Sequence, residues 1–189
     1  RFWDPELLAK GVHAVRFFPD IPSRFGIVPR RGKTEDVRWF DADPTYVLHW
    51  LNAYEDGDEI ILDGYFQENP QPKSRPDAPA GFERMMAYLD QSLLHPRLHR
   101  WRFNLKTGKT KEERLDDRDL EFGMFNQRYA GRPYRYAYSA VPAEGWFLFT
   151  GLVKHDLERG TSTQLDFGPG RYGSESPFAP RIGAKSEDD

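Results

Sequence analysis

Hydrophobic and polar positions alternate with a period of two along most of the chain. The stretches 24–28, 37–40, 46–54 and 59–66 read as strands, rich in the β-branched and aromatic residues that suit a pleated surface. The last two are joined through Asp56-Gly57, and Asp-Gly supplies the positive φ angles of a tight hairpin turn. From 67 to 80 the pattern gives way to Pro, Asn, Gln, Ser and Asp, which predicts a surface loop. One helix follows: Phe82, Met85, Met86, Leu89 and Leu93 form a single apolar stripe at helical spacing, stopped at Pro96. The stripe predicts a helix packed on a β core rather than a cofactor site. Strands resume over 97–105, 109–115, 134–141, 146–157 and 161–167, and the segment 116–133 is less regular.

Two of these hairpins are alike. Arg102-Phe103-Asn104-Leu105-Lys106-Thr107-Gly108 aligns with Lys154-His155-Asp156-Leu157-Glu158-Arg159-Gly160 at an offset of 52 residues. A repeat of about 50 residues is the length of a four-stranded propeller blade. The expectation is an all-β chain forming about three blades of a β-propeller, with one short helix and long loops. A β-sandwich is the alternative that periodicity alone leaves open.

Composition narrows the function classes. Aromatic residues make up 15% of the chain, enough large apolar surface for a folded core despite 16 glycines and 15 prolines. The net charge of −3 and the lack of a basic stripe remove the electrostatic footprint of a nucleic-acid partner. Without cysteine, disulfides and thiolate metal sites are excluded. The longest apolar stretch, 146–153, is far too short for a transmembrane segment, and no signal peptide is expected at the start.

Any metal site must then use His, Asp and Glu. His95 and His99 are separated by a helix-stopping proline, and on an extended strand they lie roughly 13 Å apart, too far to share an ion. His155 is the counterpart of Phe103 in the repeated hairpin, a scaffold position, and His13 sits in an uninformative aromatic stretch. Glu55, Asp56, Asp58 and Glu59 flank a hairpin turn and do not match a calcium loop. His49 differs, being set in the apolar strand pattern Tyr46-Val47-Leu48-His49-Trp50-Leu51. Alone, such a histidine reads as a hydrogen-bonded core residue. In a propeller, inner strands face a central axis, where each blade can offer one ligand without any local spacing motif. Glu121, between Leu120 and Phe122, and Glu175, in an extended run fixed by two prolines, are carboxylates in apolar or rigid settings. Such groups usually have a designated partner, and accepting a hydrogen bond from a ligating imidazole is one such role.

The run Tyr46-Val47-Leu48-His49-Trp50-Leu51-Asn52-Ala53-Tyr54-Glu55-Asp56-Gly57 resembles the motif around an iron-ligating histidine in the carotenoid cleavage oxygenase family, including its lignostilbene dioxygenase branch. Three further segments are similar to family motifs in the same order: Ser23 to Arg30, Leu120-Glu121-Phe122 with Gly131 to Tyr138, and Ser174 to Arg181. The resemblance implies a seven-bladed propeller binding Fe(2+) through four histidines, three of them oriented by glutamates. It implies an enzyme, an oxidoreductase that splits a C=C double bond of a carotenoid, apocarotenoid or stilbenoid with O2. It assigns His49 as a metal ligand, Glu121 as the carboxylate that orients His49, and Glu175 as the partner of a histidine outside the chain. Residues 1–189 are accordingly expected to be an interior piece of a larger single-domain enzyme, inactive alone, with the other three ligands and one glutamate elsewhere. A hydrophobic small molecule and O2 are the expected partners in a cytoplasmic protein, with peripheral membrane contact left open. Gly123 stands where family members usually carry proline, which is expected to loosen the backbone next to Glu121. Trp50 is bulkier than many family residues at its position and is expected to narrow a substrate tunnel. The competing readings are a propeller that only binds partners, with His49 a core residue, and a propeller hydrolase using Glu121 and Glu175 as an acid/base pair.

Overall fold

A computed structural model of the chain describes residues 5–9, 17–68, 70, 94–144 and 148–189. The helix expected around Phe82 to Leu93, most of the loop before it, and His13 lie outside the described residues. A five-residue helix, α1 (Pro5–Ala9), comes first. Strands β1 (Ser23–Ile27) and β2 (Arg38–Ala42) form an antiparallel pair. Then come β3 (Trp50–Asp56), β4 (Glu59–Gln67), β5 (Pro96–Asn104) and β6 (Thr110–Arg114), followed by β7 (Glu121–Met124), β8 (Tyr136–Pro142), β9 (Phe149–Asp156) and β10 (Thr161–Asp166). Each set of four is an antiparallel meander, with every strand beside its sequence neighbour. No helix among the described residues is long and apolar enough to cross a membrane.

The period of two explains how the β3–β6 sheet is buried on both faces. Trp101 and Phe103 point to one side, where they join Phe40 and Ala42 of β2 and the flanking Phe25, Ile60, Leu62 and Phe66. Leu51, Tyr65 and Leu98 point to the other, where they meet Ala137 and Val153 of the following sheet and Leu120, Phe125 and Tyr134 next to its strands. A sheet covered on both faces by other β elements is the packing of stacked blades. Fully buried aliphatic and phenyl side chains such as Leu98 and Phe103 each contribute roughly 1.5–3 kcal/mol.

The 52-residue repeat is a structural one. Phe103 pairs with Thr110 across the β5–β6 hairpin, and His155 pairs with Ser162 across β9–β10, the same span in each. Gly108 and Gly160 hold matching φ angles of 71° and 63°, a left-handed conformation that costs glycine nothing and other residues strain. The equivalence extends to the neighbouring loop: Leu105 N–H donates to the Asp58 carbonyl and Leu157 N–H to the Arg135 carbonyl, both at 2.8 Å. Both hairpins join the third and fourth strands of their sheets.

Strand positions follow the alternation closely except at two places. The strand expected from 46 begins at Trp50. Tyr46 makes only an isolated bridge to Gln67, and Thr45 Oγ1 is hydrogen-bonded to the Gln67 amide and carbonyl, so residues 47–49 leave the ladder. His49 therefore immediately precedes a strand instead of sitting within one. The second place is the irregular 116–133 stretch, which contains the short strand β7.

Candidate functional site

β3 and β7 are the first strands of the two four-stranded sheets, and each carries a bulge. On β7, Glu121 pairs with Ala140 and Met124 with Tyr138, so Phe122 and Gly123 together stand opposite Ser139. A bulge re-aims side chains and sharpens the local twist. Here it brings Glu121, at the start of β7, to His49, just before β3.

His49 Nδ1 lies 2.7 Å from Glu121 Oε2. The same oxygen accepts the Phe122 N–H at 2.8 Å. The Glu121 side chain is 4% exposed and the His49 ring 34% exposed. Burial pushes the Glu121 carboxyl above its ordinary value, opposed by the Phe122 amide and by His49. Its second oxygen, Oε1, is buried and has no hydrogen-bond partner among the described residues. An ionised carboxylate accepts only, so Nδ1 is the donor in this pair, and in a neutral ring Nε2 is then the nitrogen with the free lone pair.

Phe122 closes the site on another side. Its ring lies 4.4 Å from the His49 ring, and Phe149 meets it edge-on at 4.9 Å. Its φ of +49° is the one positive value at a non-glycine residue among the described residues. For a bulky residue this conformation is an outlier, of the kind that persists where surroundings over-determine it.

Glu175 is exposed, and its carboxylate makes no hydrogen bond or ion pair among the described residues. It follows Gly173, which bridges to Phe149, and precedes Phe178, whose ring packs on Tyr138. Glu121 and His49 are thus brought together, whereas Glu175 has no histidine partner within the described residues. Trp50 turns away from the Glu121 side: its ring packs on Phe25 at 5.9 Å and on Trp101 at 5.4 Å. His95 is bonded to Asp119, and His99 to Glu112, in two separate pairs.

Sequence reasoning missed the polar groups that fasten one blade to the next. Arg100 donates from Nε and a terminal nitrogen to the two oxygens of fully buried Asp63, each at 2.8 Å, and Tyr134 Oη donates to Asp63 Oδ2 at 2.6 Å. Asn52 donates to the Tyr129 and Arg132 carbonyls and accepts from the Gly131 amide. Tyr65 Oη, Ser139 Oγ and His155 Nε2 form a buried chain with links of 2.8 and 3.2 Å. The polar residues on β4 and β5 were a visible signal; the partners of Asp63 and Tyr65 in the next blade lie 71 and 74 positions away and gave none.

No group of three or more potential ligands occurs among the described residues. The donor chemistry nonetheless fits a shared centre: an imidazole held through Nδ1 by a buried carboxylate, with its side chain one-third exposed, has Nε2 as its remaining nitrogen donor.

The sequence pattern of the family described as "Retinal pigment epithelial membrane protein" matches residues 2–189. The chain is 37% identical over 182 residues to a "Carotenoid cleavage oxygenase" of Mycobacterium tuberculosis, covering 90% of this chain and 34% of the relative. It is 31% identical over 178 residues to the "Isoeugenol monooxygenase" of Pseudomonas putida, covering 86% of this chain and 35% of the relative. Its fold matches the crystal structure of cobalt-substituted Synechocystis apocarotenoid oxygenase with a TM-score of 0.77 at 29% identity, over 93% of this chain and 35% of that one. The chain spans about a third of the length of the curated relatives it matches. The solved structures it matches are seven-bladed propellers, and the two complete sheets and the β1–β2 pair are part of one. The chain belongs to the retinal pigment epithelial membrane protein family, that of the carotenoid cleavage oxygenases.

Proposed function

We propose that this chain is part of a non-haem Fe(2+) dioxygenase that splits a C=C double bond of a carotenoid, apocarotenoid or stilbenoid with O2. The observation that carries the reading is the 2.7 Å contact between His49 Nδ1 and Glu121 Oε2. Neutral imidazole suits Fe(2+), and an all-histidine shell supplies open coordination positions for O2 when the ion is bound. In this reading His49 gives Nε2 to the ion. Glu121 fixes the tautomer and ring direction and strengthens donation. Phe122 packs on the imidazole and offers an apolar surface beside it. Glu175 orients a histidine contributed from outside residues 1–189, and the other ligands come from there too. Residues 1–189 form a portion of one larger propeller domain, in a cytoplasmic protein acting on a hydrophobic small molecule.

The engagement of Glu121 with His49 favours a ligand-orienting carboxylate over half of an acid/base pair with Glu175. The test is metal analysis and alkene-cleavage assay of the full-length protein carrying this chain. His49→Ala is expected to abolish iron retention and turnover, and retention of both would overturn the reading.

A further inference from the structure

The pairing of His49 with Glu121 is made between two blades, so its length depends on how closely those blades approach. Gly123 lies at that approach. A Cβ built on it would stand 2.4 Å from Tyr65 Oη, 2.8 Å from Tyr65 Cε2 and 2.7 Å from Leu51 Cδ1, all closer than real Cβ contacts allow. Leu51 is the second residue after His49 on the chain, and Tyr65 is fully buried on β4. Tyr65 also hydrogen-bonds Ser139, the residue that faces the Phe122–Gly123 bulge from β8. One tyrosine hydroxyl is therefore held against both strands of the bulge. The bulge in turn carries the Phe122 amide that shares Oε2 of Glu121 with His49, and the left-handed Phe122 backbone that lays its ring on His49.

We infer that Gly123 and Tyr65 are positioning residues: the absent Cβ lets Tyr65 and Leu51 seat beneath the β7 bulge, and this seat holds Glu121 at bonding distance from His49. On this inference Gly123, expected from the sequence to loosen the backbone beside Glu121, serves to admit Tyr65 and Leu51 beneath it. The inference rests on the reading of His49 as a metal ligand.

The test uses the full-length protein carrying this chain, with Co(2+) as the probe, read by its affinity and its visible ligand-field absorption. Gly123→Ala is expected to weaken cobalt binding by about 10–100-fold, the range for losing a group that orients a ligand, and to shift the absorption bands. Adding Tyr65→Phe to Gly123→Ala removes the nearest clashing atom and is expected to recover part of the affinity. Tyr134→Phe, which breaks a different contact between the same blades, is expected to lower the melting temperature while leaving affinity and spectrum unchanged. A folded Gly123→Ala protein with wild-type affinity and spectrum would overturn the inference. So would losses in Gly123→Ala and Tyr134→Phe that simply track their melting temperatures. Should Gly123→Ala fail to fold, Tyr65→Phe alone decides: weaker binding with shifted bands supports the role, and no change in either overturns it. His49→Ala separates the two levels of argument. Wild-type cobalt binding in that variant overturns the ligand reading itself, whereas loss there beside an unchanged Gly123→Ala removes only the positioning role.

Discussion

His49 Nδ1 and Glu121 Oε2 meet at 2.7 Å although the residues are 72 positions apart, His49 just before and Glu121 at the start of the first strands of different sheets. The pair joins a nearly closed carboxylate to a ring one-third open, an arrangement compatible with the proposed ligand and its orienting group.

Replacing Glu121 by Gln should leave the fold intact while lowering iron occupancy or turnover of the full-length protein by about 10–100-fold. Loss of His49, to which Glu121 is bonded, should be at least as damaging. Glu55→Gln, at an exposed position on β3, should change neither. Metal analysis and steady-state turnover on the three variants check this, and the Glu55 control separates a site effect from general destabilisation.

The 189-residue chain by itself should bind Fe(2+) weakly. A single imidazole gives no chelate, and high affinity needs several preplaced ligands. Anaerobic titration is expected to show no stoichiometric saturation, and a tight one-to-one site would contradict the division of ligands inside and outside residues 1–189.

Stability should depend strongly on the Arg100–Asp63–Tyr134 cluster. Arg100→Met leaves the fully buried Asp63 carboxylate without its cation and should cost about 3–5 kcal/mol. Tyr134→Phe removes one hydrogen bond to the same carboxylate, for about 1–3 kcal/mol. Denaturant unfolding of the variants measures both, and the order of the two losses matters more than either value.

Which parts of this were legible in the sequence follows from range. A strand such as β9 shows local alternation, and the Asn104 and Asp156 hairpins repeat a turn whose chemistry is contained in seven residues. β7 was hidden because its bulge spends two of four residues off the alternation, one in a left-handed conformation. The bonds of Asp63 to Tyr134 and of Tyr65 to Ser139 link positions more than 70 apart, and no local pattern encodes them. His49 was picked out by its motif, yet its release from the ladder depends on Thr45 gripping Gln67, a contact of the same non-local kind.

The last expectation concerns acid stability. Burial holds the His155 imidazole down to about 4, with Arg118 acting in the same direction and Asp116 against it. Ser139 Oγ faces its Nε2 and Asp116 stands 3.6 Å from its Nδ1. In the unfolded chain the ring takes up its proton near the ordinary value of roughly 6.5. The unfolded state therefore binds more protons between those two pH values. The stability from keeping His155 neutral is fully present above about pH 6.5 and is lost as the pH falls towards 4, by roughly 3 kcal/mol in all. Phe103 occupies the equivalent place in the preceding blade, so His155→Phe puts into this position a residue the scaffold already accommodates. That variant should flatten the acid limb of a stability profile measured by denaturant unfolding from pH 7 to pH 4. An unchanged slope in His155→Phe would place the acid sensitivity elsewhere in the protein.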